Sequence, residues 1–222
     1  MQINPSTDNE RSRFADTSIS YGWVSIVLHW LTATVVIALW FLGQSIDSAE
    51  AGNVATRRTL HVSVAASAWL VVLLRILWRF RAGHPKVRGL TERTHRIAMW
   101  THYLMLFLLA LMLLSGPLAV WATGQAIVIF ETLVIPSPIT VSDELQRFAR
   151  TVHSISARGL FLLVLIHIGA VLKHLMFHTD DSIVRMLWPP RNIEHGVNTV
   201  SYTHLRAHET EADLVCRLLL EK

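Results

Sequence analysis

The chain has 222 residues, of which 52% are hydrophobic and 16% charged, with a mean hydropathy of +0.40. Soluble domains carry roughly a quarter of charged residues, and here the apolar residues gather in four long blocks, which excludes an ordinary soluble core. The net charge of +4 and pI of 9.7 would suggest nucleic acid in a soluble chain. Much of that charge sits in one interhelical loop, so membrane topology accounts for it and no nucleic-acid partner is expected.

In chain order, residues 1–22 are polar and read as a surface segment, unlike a cleaved signal. Apolar blocks follow at about Val24–Gly43, Thr59–Trp78, Ile97–Ala122 and Thr151–Phe177. A helix needs about 20 residues to cross a bilayer, and each block suffices. The fold class expected is all-α: an integral membrane four-helix bundle over residues 23–190. Trp23, Trp30, Trp40, Trp78, Trp100 and Trp121 lie near block ends, as an aromatic belt would. Gly116-Pro117 falls near the end of the third block, where a kink is tolerated in a membrane helix.

The second loop region carries Arg79, Arg81, Lys86, Arg88, Arg93 and Arg96, more cations than either other loop. That loop is expected in the cytoplasm, and with four spans both termini join it. The third loop holds the apolar run Ala126–Ile135 before Pro136. It is expected either at the outer membrane surface or as a short helix packed over the bundle mouth. Residues 191–222 form a polar tail beyond Trp188-Pro189-Pro190 and receive no functional role.

The informative anomaly is histidine, twelve in all. His29, His61, His153 and His167 fall inside apolar blocks, where an ionisable side chain is costly and marks function. His153 and His167 are fourteen residues apart, which puts them on one helix face about 21 Å apart along the axis. Depth then pairs His29 with His167 near the cytoplasm and His61 with His153 near the outer surface. Such pairs suit two axial imidazoles on each of two haem irons. Polar cross-links between helices and zinc binding are the competing readings. The chain has one cysteine, Cys216, so it has no Cys-x-x-Cys-His motif for covalent haem attachment.

Arg75 lies fourteen residues after His61, placed either to meet haem propionates or to snorkel to the interface. Small residues at Ser63, Ala65, Ala66, Ser67 and Ala68, and at Ser154, Ser156, Ala157 and Gly159, leave room for a flat macrocycle or for close helix packing. His102, with His95 two turns before it, could line a quinone or proton path, and is the substitute ligand should His29 and His167 not pair. Arg57, Arg58, Arg147 and Arg150 could form an outer basic rim that steers a small anion, or plain solvated charge.

These residues resemble the bacterial cytochrome b561 family. The likeness is carried by Ser25-Ile26-Val27-Leu28-His29-Trp30, by Leu60-His61-Val62-Ser63, by Val152-His153 through Ile166-His167, and by Lys173-His174 through Arg185-Met186-Leu187. It covers about residues 20–190 and implies two haem b groups and electron exchange with ubiquinone or a similar quinone in the bacterial inner membrane. Some members oxidise superoxide; others are cytochrome subunits of larger dehydrogenases or hydrogenases. The resemblance also makes His174 a quinone candidate, with Lys86 and Arg88 as weaker ones. A membrane-anchor subunit and a histidine-lined metal transporter are the other functional readings.

Overall fold

The computed structural model describes residues 14–16, 21–82, 91–177 and 186. Among them are four helices long and apolar enough to cross a membrane: α1 (Trp23–Asp47), α2 (Val54–Ala82, entered through a 3-10 turn at Ala51–Asn53), α3 (Glu92–Trp121) and α4 (Asp143–Phe177). Each helix outruns its apolar block, because backbone hydrogen bonding continues past the bilayer where polar side chains can face water. The chain is therefore a multi-pass membrane protein.

The helix ends follow from local chemistry. Thr91 caps α3 by accepting from the Thr94 amide at 3.3 Å. Ser142 caps α4 by accepting from the Leu145 amide at 3.2 Å, and Asp143 and Glu144 complement the dipole in its first turn. Pro117 lies inside α3, where its missing N–H is tolerated near the end of a membrane helix. After α3 the chain turns through Gly124 at φ +76, where a Cβ would come within 2.8 Å of Val141. Only glycine accepts both constraints.

Neighbouring helices run antiparallel. Gly43, late in α1, faces His61, early in α2; Arg75, late in α2, reaches His29, early in α1. The same holds for α3 and α4, where Gly116 faces His153 and His102 meets His167. The bundle is two tight pairs: α1 packs chiefly on α2, α3 chiefly on α4, and α2 touches α3 more sparingly. A small cluster of Val72, Ile76 and Leu106 joins α2 to α3, and Trp69 donates to the Leu113 carbonyl at 3.1 Å. The outward faces carry large apolar side chains, among them Phe80, Trp100, Phe107 and Leu114. Water would not tolerate so much exposed apolar surface; lipid does.

The third connection departs from the all-α expectation. Its apolar run forms no helix but a β-hairpin, β1 (Ile127–Ile129) paired antiparallel with β2 (Leu133–Ile135). Both strands are runs of Ile, Val and Leu, which favour extended backbone. Phe130 and Glu131 make the turn with φ of 44 and 61, a left-handed geometry unusual for side chains of this size. The hairpin returns to α2, where the buried Ser63 hydroxyl donates to the Val128 carbonyl at 3.2 Å and accepts from the Phe130 amide at 3.1 Å. We call this the hairpin end of the bundle and the opposite end the arginine end.

Candidate functional site: histidines at two levels

At the hairpin end a cavity of about 670 Å³ lies between the two helix pairs, within the usual range of about 300–1,000 Å³ for cofactor sites. His61 of α2 and His153 of α4 face it from opposite sides. Their ring centroids are 6.4 Å apart and the rings nearly perpendicular, at 83°. Metal–imidazole bonds are about 2 Å long, so two rings gripping one ion from opposite sides stand about 6 Å apart centre to centre. The observed spacing fits that arrangement.

The two helix pairs hold these rings by the same device. A Cβ on Gly43 of α1 would lie 3.6 Å from His61 Cε1, and one on Gly116 of α3 would lie 3.4 Å from His153 Cε1. Each imidazole thus lies over a glycine of the paired helix. Four residues before each glycine a carbonyl, Leu39 or Met112, stands beside the ring, neither within hydrogen-bond geometry. Ser115 Oγ is 3.3 Å from His153 Nδ1. Polar oxygens on the Nδ1 side favour a proton there and leave Nε2 free to coordinate, the pattern common among metal-bound histidines.

Ala65, Ala66, Ala68, Ser154 and Ala157 line the same cavity, so much of the predicted small-residue set does border open space. Ser63 and Ser156 are buried instead, and Gly159 packs against Leu108. Trp40 and Phe161, also lining residues, stack across the bundle with centroids 4.0 Å apart and planes at 4°. The exposed Arg58 and Arg150 reach the cavity wall, as does Arg158, a cation the sequence reading passed over. Arg57 and Arg147 are exposed, and Arg57 donates to the Ser45 carbonyl at 3.3 Å.

The arginine end holds the other histidines. His167 of α4 meets His102 of α3, with centroids 5.3 Å apart and rings at 70°. His29 of α1 lies in the neighbourhood of His167, and Arg75 Nη2 donates to His29 Nδ1 at 3.3 Å. His95 is half-buried near the start of α3. The backbone of residue 174 belongs to α4, but the His174 side chain lies outside the described residues, as do Lys86 and Arg88.

Beside this cluster is a network absent from the sequence reading. Asp16, from the segment before α1, accepts from the Gly22 amide at 2.8 Å, from Ser25 Oγ at 2.7 Å and from Arg79 Nη1 at 3.3 Å. Trp78 Nε1 in turn donates to Ser25 Oγ at 2.8 Å. Arg79 follows Arg75 by one turn on the same face of α2, a signal that the sequence did carry. Nothing in the sequence marks Asp16; only the fold brings it to Arg79.

Four apolar spans with a histidine-lined cavity between two helix pairs define a membrane protein with room inside for a cofactor. The chain belongs to the prokaryotic cytochrome b561 family, whose model matches residues 20–189. It is accordingly a membrane b-type cytochrome of electron transfer. It is similar to cytochrome b561 homolog 2 of Escherichia coli, 28% identical over 177 residues, which span 78% of this chain and 94% of the relative. It is also similar to cytochrome b562 of Cereibacter sphaeroides, 26% identical over 175 residues, 76% of this chain and 96% of the relative. Cytochrome b561 homolog 1 of Escherichia coli is 21% identical over 177 residues, 79% of this chain and 97% of the relative.

Proposed function

We propose that the chain carries electrons across the bacterial inner membrane between a quinone pool and a redox partner on the far side, using two haem b groups stacked along the bundle. The observation that carries this reading is the placement of histidines at two levels, His61 with His153 at the hairpin end and His29, His102 and His167 at the arginine end. When bound, haem supplies reversible one-electron chemistry at its iron. The protein's own residues do the rest. His61 and His153 hold one group, with Gly43 and Gly116 giving their rings clearance. His29 and His167 hold the other, and Arg75 receives its carboxylates.

One contact favours a second ligand set at the arginine end. Arg75 can only donate, so its bond to His29 Nδ1 leaves the neutral ring's proton on Nε2, the nitrogen that would coordinate. His102, in ring contact with His167, is then the alternative partner. His29→Ala and His102→Ala separate the two: the variant that loses the inner haem while keeping the outer one identifies the ligand.

Were two imidazoles to hold each haem, direct O₂ binding at the iron would be disfavoured, so outer-sphere transfer is expected. His174, Lys86 and Arg88 are the quinone-side candidates, suited to hydrogen-bond carbonyl oxygens and to exchange protons with water. Arg58 and Arg150 around the other mouth, with Arg158 deeper on the cavity wall, would attract a small anion such as superoxide. Reduction of the isolated, purified chain by ubiquinol, or by superoxide with onward transfer to quinone, tests the conduit. Failure of both donors, with reduction restored only inside a larger complex, would instead make the chain a membrane-anchor cytochrome subunit of a dehydrogenase or hydrogenase.

A further inference from the structure

Among the described residues, the charges buried at the arginine end do not balance. Arg79 is 3% exposed, Arg75 9%, and the Asp16 side chain 2%. Two guanidinium groups therefore share one carboxylate. Arg79 Nη1 is committed to Asp16, and Arg75 Nη2 to His29. Arg79 Nε and Nη2 and Arg75 Nη1 are buried without a hydrogen bond among the described residues. Unpaired buried guanidinium nitrogens are costly; Nε and Nη2 of Arg79 together form a fork shaped to receive an oxyanion through two bonds, and Nη1 of Arg75 offers a further donor. Asp16 cannot turn to fill that role, since the Gly22 amide and Ser25 Oγ fix its two oxygens. Tyr21 lies under Arg79, its ring 5.4 Å from the guanidinium carbon, and braces the cation from another side.

We propose that Arg75 and Arg79 form one oxyanion-receiving site for a carboxylate of the inner haem, and that Asp16 is its resident counter-anion. This rests on the reading that places a haem beside His29 and His167. Asp16 then has two effects. It turns the outer edge of Arg79 toward the ligand, and it lowers the positive potential that the two arginines impose on the inner haem. A carboxylate arriving at Arg75 would compete for the Nη2 donor now on His29 Nδ1, and so restore that ring as a ligand. Asp16 is a positioning residue in this scheme: it acts through Arg79. The polar segment before α1 thereby gains a role in electron transfer.

The test is a haem-resolved redox titration of the full chain in lipid nanodiscs, on wild type and on Asp16→Asn, Asp16→Glu and Arg79→Gln. Removing a fixed negative charge favours the electron-rich state. Asp16→Asn is therefore expected to raise the inner-haem midpoint and leave the outer one in place, and Asp16→Glu to return it toward wild type. Arg79→Gln is expected to lower the inner midpoint, or to lose the inner haem alone. A phospholipid phosphate has the same oxyanion chemistry, so phosphorus bound to the purified chain is measured in parallel. Unmoved midpoints in Asp16→Asn and Arg79→Gln with both haems bound would overturn the proposal. So would a loss of bound phosphorus in Arg79→Gln with both midpoints unchanged. Absence of the inner haem from the wild-type spectrum would defeat the underlying haem reading instead, and is seen before any variant is made.

Discussion

His61 and His153 carry the clearest residue-level statement, because each ring is placed by a glycine on its partner helix. If they hold one group together, His61→Ala and His153→Ala should remove the same haem and keep the other, as read from reduced-minus-oxidised spectra. Loss of different haems would break the pairing. The glycines make a finer prediction. At Gly116 a methyl group would sit at van der Waals distance from His153 Cε1, whereas a longer side chain would enter the ring's own space. Gly116→Ala should keep near-normal haem content; Gly116→Leu should deplete the hairpin-end haem while circular dichroism shows the helices intact. The four histidines were legible in the sequence because ionisable groups stand out against apolar blocks. Ser115 and Asp16 were not, because a serine in a helix and an acid in a polar segment look ordinary until tertiary contacts give them partners.

At the scale of elements, the hairpin decides how the third connection relates to the cavity. Ile127 of β1 is 5% exposed and lines the cavity wall, while all three residues of β2 face outward. Among the described residues, Ser63 alone hydrogen-bonds the hairpin to α2, through Val128 and Phe130. Ser63→Ala strips both, and the loss should cost about 1–2 kcal/mol. Faster hydrogen exchange at the Phe130 amide, with exchange in the middle of α2 unchanged, is the expected signature; equal protection in the variant would show that the hairpin is held by its apolar contacts instead. The spans were readable from apolar length, with ends misjudged by several residues where helices continue through polar sequence. The hairpin was hidden for a different reason. Its strands are β-branched and were visible as an apolar run, but its turn, Phe130-Glu131-Thr132, lacks the glycine or asparagine that usually announces one.

The described helices form two pairs with a cavity between them that His61 and His153 face. Among the described residues the pairs are bridged by the Val72, Ile76 and Leu106 cluster, the Trp69–Leu113 hydrogen bond and the Trp40–Phe161 stack. A ligand that binds the folded bundle adds stability by mass action, and one held between the pairs also ties them together. Chain produced under haem limitation should therefore melt at a lower temperature than haem-replete chain, and exchange amide hydrogens faster on the inner faces of α2 and α4 than on α1. Equal melting temperatures would mean that the pairs hold together without the cofactor. The proposed electron path needs two b-type haems on one chain, one at each end of the bundle. Haem quantitation per chain, by the alkaline pyridine spectrum of purified protein, decides whether they are there. Two haems b for each polypeptide are expected, falling to one in His61→Ala; a well-folded wild-type chain holding one haem or none would rule the path out.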